Sequence, residues 1–482
     1  MNRFCKSTFA AALVLLPLGA GCRAVGPDYA PVRVGLPQAW PSMEPPGAGE
    51  RPSAGPEALA RWWTTLEDPV LTSLVERAVS SNRDLGVALT RIRQSRAALG
   101  VSRTQLDPSV TGSAMYRRSQ SGAPDADDPD PALFSTGSDY YDAGFDASWE
   151  IDLFGKKHRS IEAAIAELEA SEEGYRSVLV SLAAETAGSY VRLRTLQQQL
   201  EIVRRNLGLQ EDALSVLEDK RAAGLIGSLQ VQQSRYTIEN TRARIPGYGA
   251  SIEETLNTLA ILLGALPGEL HGELSEPGDV PVPGVEIAAG IPADILRRRP
   301  DIRSAERRLA AETARVGAAT ADLYPALSLG GFLGMTAAST EAFFSDNSPT
   351  LSIAPFISVP LFNRDRIRGQ IEIQSAVQER ALIEYENTVF DAVKEVRDAI
   401  AAYGEEQKRY RILSRGASAA REALATADER YRSGLVDFLD VLDAQRALLA
   451  FEESRIGSRG AITEGLIRLY KALGGGWPAP GS

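Results

Sequence analysis

The chain has 482 residues, 44% of them apolar and 24% charged, with a formal net charge of −11. This composition excludes a disordered chain. The acidic balance argues against nucleic acid as a partner, because phosphate binding needs a basic face and no basic stripe offsets the acids.

The first residues, MNRFCKSTFAAALVLLPLGAGC, have the form of a secretory signal over 1–21. Arg3 and Lys6 supply the charge, and the apolar stretch 9–18 is too short to span a bilayer. Losing those two cations takes the mature charge from −11 to −13. One cysteine then remains, Cys22, which has no internal partner for a disulfide. Its setting resembles the lipidated cysteine of bacterial lipoproteins, although Gly19 stands where the usual box has Leu and Leu18 lies one place earlier. Cleavage near Ala20, leaving an idle thiol, is the alternative. Arg23 follows Cys22 where inner-membrane lipoproteins carry aspartate, so the resemblance implies the outer membrane. No later segment has the run of about 18 apolar residues a spanning helix needs, so any spanning falls to strands.

Residues 22–57 read as a lipidated N-terminal linker, rich in Pro and Gly beyond position 36. The stretch 62–79 reads as one short amphipathic helix. From there the chain repeats itself. Asp84 and Pro108 recur as Asp301 and Pro325, IDLFG at 151–155 as VPLFN at 359–363, and DKRAAGLIGSLQV at 219–231 as ERYRSGLVDFLDV at 429–441. Two tandem repeats follow, 58–264 and 293–474, joined by a Pro-rich linker at 265–292 and closed by a tail at 475–482.

Each repeat predicts a medium helix, a hairpin, a very long helix, a tight break and another medium helix. The first has helix 84–106, hairpin 108–153, long helix 156–222 and helix 228–264. The second has helix 301–323, hairpin 325–361, long helix 365–432 and helix 437–473. Pro108 and Pro325 mark the change from helix to strand, and Gly224 and Gly434 sit where a C-cap glycine belongs. Along the first long helix Leu182, Thr186, Tyr190, Leu193, Leu196, Leu200 and Val203 step by threes and fours, a coiled-coil seam. Alanines off the seam suggest a second packed face; helix propensity alone is the plainer explanation.

The strand at 139–151 alternates strictly, with Tyr141, Ala143, Phe145, Ala147 and Trp149 on one face and Asp142, Asp146 and Glu150 on the other. Four such strands cannot close a barrel, and their open amphipathic edges would aggregate. Three copies would make twelve strands around a lumen, with Asp142, Asp146 and Glu150 lining water.

These motifs, together with CRAVGPDYAPV, RWWTTLEDPVLTSLVERAVSSNRDL and GIPADILRRRPDIRSAERRLAAETARVGAATADLYPALSLGG, resemble the TolC-like outer-membrane factor family, most closely its lipoprotein branch serving multidrug efflux. The resemblance implies a mostly α fold with a membrane β-barrel part: a homotrimer with a twelve-stranded β-barrel continued by a twelve-helix periplasmic α-barrel. It implies an exit duct for small molecules in a tripartite efflux system, with a periplasmic membrane-fusion adaptor and an inner-membrane transporter, RND-type favoured, as partners. The implied place is the outer membrane, lipid-anchored and extending into the periplasm, with no catalysis, cofactor or metal.

By the same resemblance the breaks at 222–228 and 432–437 are tips that meet the adaptor through Gly224, Leu225, Gly434 and Leu435. Asp440 and Asp443 match aspartates that ring the narrowest point, and Leu439 matches an apolar ring position. Spaced by three, the two acids share a helix face. Asp437 as N-cap and Asp440 in a first helical turn also have a purely structural explanation. Tyr431 matches a latch tyrosine whose charged partners are replaced here by Gln230 and Val436, leaving a hydrogen bond between Tyr431 and Gln230 as the expected latch. The acidic loop 121–137 is expected outside the cell as a solvated loop, with calcium binding as the alternative. Phe343 and Phe344, in a second outer loop at 337–350, either plug the mouth or pack. A protein-secretion duct of type I and a poreless periplasmic coiled-coil lipoprotein are the competing functions. His158 and His271 lie too far apart in the chain to suggest a metal site or a catalytic pair.

Overall fold

The computed structural model describes residues 24–32, 34–35, 59–119, 138–282 and 293–477. Cys22 and the loop 121–137 lie outside them. A 3₁₀ turn, Trp62–Leu66, leads to α1 (Pro69–Ser81), α2 (Arg83–Thr104), β1 (Ser109–Ser119), β2 (Ser138–Ile151), α3 (Lys156–Ala222), α4 (Ser228–Arg242) and α5 (Ile245–Leu262). After the short α6 (His271–Leu274) come α7 (Pro300–Ala321), β3 (Ala326–Ala337), a one-turn α8 (Thr340–Phe343), β4 (Pro349–Ser358), α9 (Arg364–Arg432) and α10 (Phe438–Ala472). The long helices α3 and α9 hold 67 and 69 residues, about 100 Å each at 1.5 Å per residue.

Two sequence expectations are corrected. The stretch 62–79 is not one helix. Glu67 takes a left-handed φ of 51° and ends the 3₁₀ turn, and the Asp68 carboxylate then caps α1 by accepting from Leu71 N at 2.9 Å. The helix expected over 228–264 is divided between Arg242 and Ile245. Pro246 in the first turn of α5 has no N–H to donate to a carbonyl one turn back, so the ladder is interrupted there.

The four strands form one antiparallel sheet in the order β1-β2-β3-β4. Its central pairing joins the two repeats: Phe145 lies opposite Leu333 and Trp149 opposite Leu329. The repeats are consequently not the compact units of the molecule. One unit comprises the N-terminal segment to Val32 with Arg93–Ala170 and Ala305–Tyr385; the other contains Ser171–Ser304 and Glu386–Ser482. Each draws on both repeats.

The second unit holds the larger core. Trp62, Leu71, Leu74, Tyr190, Leu193, Leu259 and Leu466 are almost wholly buried there. Each such leucine contributes about 2 kcal/mol by leaving water. Trp62 stacks on Tyr470 at 5.3 Å. The buried Arg299 donates to the Ala472 carbonyl at the end of α10 and pairs with Asp301 and Glu395 at 2.6 and 2.8 Å, so one guanidinium ties a helix terminus to α9. Along α3 the seam residues Leu182, Thr186, Tyr190, Leu193 and Val203 are buried, and so are Ala163, Ala166, Ala170, Ala183 and Ala187. Burial of both sets explains the alanines by packing rather than by propensity.

Candidate functional site

The strand register sorts the sheet into two chemically distinct faces. Residues directly opposite in antiparallel strands share a face. Val110–Ala147, Tyr116–Tyr141, Phe145–Leu333 and Leu333–Leu351 are such pairs, and they extend one apolar face across all four strands. Phe145, Leu333, Leu351 and Ile353 on it are 59–70% exposed. The other face carries Asp142 opposite Met115 and Thr336, Asp146 opposite Thr111 and Phe332, and Glu150 opposite Ser328. The Ser113 hydroxyl donates to the Asp146 carboxylate at 2.6 Å. Asp142, Asp146 and Glu150 therefore share one face, opposite the apolar one. Sequence alternation missed Phe332 and Phe356 on this wet face. The tip of the Phe332 ring lies over Gly144 and Gly334, where a Cβ would meet it at 2.8 and 2.7 Å; only a glycine pair leaves that room.

The other candidate site is the pair of turns between the long helices and α4 or α10. Both are Schellman closures. At the first, Leu225 N donates to Lys220 O at 2.9 Å and Gly224 N to Arg221 O at 2.9 Å; at the second, Leu435 N donates to Arg430 O at 2.9 Å and Gly434 N to Tyr431 O at 3.0 Å. Gly224 and Gly434 have φ of +72° and +71°, a backbone region that side chains with Cβ disfavour. Leu225 and Leu435 project 73% and 74% exposed. Beneath the turns Leu217, Val231, Phe438, Val441 and Leu442 form a small buried cluster.

Leu439 is 42% exposed and Asp440 is exposed beside it. Asp443 is not a free carboxylate: Arg446, one turn on, holds it at 3.1 Å. The same guanidinium donates to the Tyr236 hydroxyl at 2.8 Å and to the Thr237 hydroxyl at 2.9 Å, joining α10 to α4. This bridge was not anticipated. The sequence marks Arg446 and Tyr236 as equivalent positions of the two repeats, 210 apart, but carries no sign that they meet.

Two expectations change at this tip. The Tyr431–Gln230 hydrogen bond is not formed: Gln230 Oε1 is buried without a partner. The Tyr431 ring instead packs on Phe438 at 5.2 Å and carries the Lys220 ammonium 4.5 Å from its centroid. Asp437 occupies the N-cap position of α10, but its side chain makes no capping bond.

A third group of contacts lies near the N-terminus. Val25 N donates to Phe154 O at 3.0 Å, and Arg159, buried in α3, pairs with Asp28 at 2.6 Å and donates to Val25 O. Tyr29 donates to Glu306 at 3.0 Å with Arg307 over its ring. Burial and the Glu306 carboxylate push the Tyr29 hydroxyl well above its ordinary pKa. The start of the linker is thus seated on α3 and α7.

A sheet with one apolar and one acidic face, whose strands run into helices of this length, defines a stave of a membrane β-barrel continued by a helical duct. The chain belongs to the outer membrane efflux protein family, whose model matches residues 74–265 and 291–475. It is 32% identical over 466 residues to the toluene efflux pump outer membrane protein TtgF of Pseudomonas putida, covering 95% of each chain. Among solved structures it resembles the outer-membrane channel OprN with a TM-score of 0.86 and 36% identity, covering 94% of this chain and 100% of that one. It also resembles the open state of the Neisseria gonorrhoeae MtrE channel, with a TM-score of 0.79 and 26% identity, covering 94% and 99%. The protein is an outer-membrane efflux channel built on a tandem repeat.

Proposed function

We propose that three copies close their sheets into a twelve-stranded barrel whose wet face passes small toxic molecules, solvents and drugs among them, delivered by an RND-type inner-membrane pump through a periplasmic adaptor. The supporting observation is the register: four strands from two repeats keep every acid of the row Asp142, Asp146 and Glu150 opposite the apolar face. In this reading Gly224, Leu225, Gly434 and Leu435 are the adaptor-contacting tips. Leu439 and Asp440 form the narrow rings, and Asp443 belongs to the closure through Arg446 rather than as a bare charge. Three exposed carboxylates at one level attract cations and oppose anions.

Cys22 carries the lipid anchor in this reading. The seating of residues 24–32 by Arg159 supports it, because it brings the chain emerging from Cys22 to the strand–helix junction at Phe154. Acyl chains there would enter the leaflet beside the apolar face.

Reconstituting the purified trimer in planar bilayers and deleting the gene test this together. Cation-selective conductance with solvent or drug sensitivity of the deletion strain is the expected result. Loss of a secreted protein without sensitivity would favour the secretion duct, and a poreless trimer would end the channel reading.

A further inference from the structure

The loop between β3 and β4 carries two adjacent phenylalanines at the end of its single helical turn, and the register decides which side of the sheet they reach. The base of the loop is pinned on the wet side. Thr336 and Thr350 join hydroxyls at 2.7 Å, and both belong to the face of Asp142 and Gly144. Thr336 N donates to Ser348 O at 2.9 Å, and the Ser348 hydroxyl donates to Ser345 O, so the loop is closed on itself. Ser339 caps the turn by accepting from Ala342 N at 3.2 Å.

The aromatic side chains go the other way. Tyr116 and Tyr141 lie opposite each other on the apolar face with ring centroids 4.9 Å apart. Phe343 meets Tyr141 at 6.5 Å, and Phe344 meets Phe343 edge-on at 5.2 Å. The four rings form a continuous row that begins on the apolar face and ends at Phe344, which is 84% exposed. The Tyr116 hydroxyl donates to Asp139 at 3.0 Å, giving the row a polar rim.

We infer that the 340–344 turn is a membrane-interface anchor, with Phe343 and Phe344 immersed at the headgroup boundary of the outer leaflet rather than lying over the mouth of the duct. This rests on the barrel reading above. The occupant is a lipid surface because the row is continuous with the apolar face. Rings with a polar rim at the edge of an apolar band are the arrangement that interfacial belts use. The dimensions agree. Trp149, at the far end of β2, donates its indole N–H to Leu106 O at 2.8 Å, a second ring with a polar handle. Eight residues of strand separate it from Tyr141, about 26 Å along the chain and about 20 Å of height at barrel tilt, within the apolar band of about 25 Å.

The test places a bimane fluorophore on Phe344→Cys in the full trimer in lipid vesicles, with Leu351→Cys as the apolar-face reference and Asp142→Cys as the wet-face reference, after subtracting the signal of the labelled parent chain. Lipids brominated near the headgroup should quench residue 344 as strongly as they quench 351, while aqueous iodide spares it. Quenching by iodide to the extent seen at 142, with none from brominated lipid, would overturn the inference. In the second arm, the Phe343→Ser, Phe344→Ser double variant should leave single-channel conductance unchanged, and a rise would show that the rings obstruct the mouth. Failure of the 351 reference to sense lipid, with no parent conductance, would instead sink the barrel reading.

Discussion

At the first tip Gly224 turns the chain from α3 into α4, and at the second Gly434 turns it from α9 into α10, with φ angles that differ by one degree. The helices that follow diverge: α4 stops after 15 residues, whereas α10 continues for 35. Their side chains diverge further. Where the second repeat has Asp440, Asp443 and Arg446, the first has Gln230, Gln233 and Tyr236. The backbone of the turn is thus common to both repeats, while charge at these three positions is confined to one. A threefold assembly then carries three carboxylates at each level instead of six, which limits their mutual repulsion in a narrow closure. The two differing residues Arg446 and Tyr236 also meet, so the asymmetry itself supplies the bridge between α10 and α4.

The shared part of the comparison predicts equal responses. Gly224→Ala and Gly434→Ala each force a Cβ into the left-handed region at about 1–2 kcal/mol, so amide exchange in each turn should speed up by about 5–30-fold. Exchange accelerated at one tip alone would mean that the two turns are not equivalent.

The unshared part predicts unequal responses. Arg446→Ala removes hydrogen bonds to Tyr236 and Thr237 as well as the partner of Asp443. Passive conductance in bilayers should rise by about tenfold, corresponding to loss of one net charge-assisted bond. Tyr236→Phe, which leaves Thr237 in place, should give a smaller rise, and equal effects would show that the tyrosine carries the whole bridge. Next in size, Asp440→Asn should lower cation-over-anion permeability by about twofold to threefold, the scale of a solvent-exposed charge interaction. Gln230→Asp should raise it, because it restores in the first repeat the acid that the second has. Reversal-potential measurements in a salt gradient separate these outcomes.

The smallest effect concerns His271. Its imidazole pairs with Glu253 at 2.7 Å, and that hydrogen bond, with one to the Gly268 carbonyl, raises its pKa above the ordinary value of 6.5. A raised histidine pKa stabilises the folded state fully below the unfolded value and ceases to do so as pH rises through the folded value. The melting temperature of His271→Ala should therefore fall slightly below that of the parent at about pH 5–6 and converge with it at about pH 9, beyond the titration of histidine. A constant gap across that range would assign the loss to packing.

Much of this molecule was legible from local patterns. The alternation of residues 139–151 marked β2 and placed Asp142, Asp146 and Glu150 on one face, because side-chain direction in a strand depends only on its period. Gly224 and Gly434 announced the turns, because glycine readily takes the left-handed φ with which many helices end. Phe332 escaped notice because a ring on the wet face is accommodated by Gly144 and Gly334, the latter on its own strand and the former on its neighbour. The interruption before α5 follows from Pro246, which comes after the 15 residues of α4 and has no counterpart in the 35 unbroken residues of α10.

Sequence by itself therefore determined the strands, the long helices, the two repeats and the turn chemistry, since each follows from neighbours along the chain. Only tertiary structure decided that β2 pairs with β3 and so welds one repeat to the other, and that Arg159 seats the N-terminal segment. It also decided that Arg446 of α10 meets Tyr236 of α4 while Tyr431 passes over Gln230 for Phe438, and that Phe343 reaches the apolar side of the sheet. These contacts join residues up to more than two hundred positions apart, and no local period encodes which of several compatible partners a side chain meets once the backbone has closed around it.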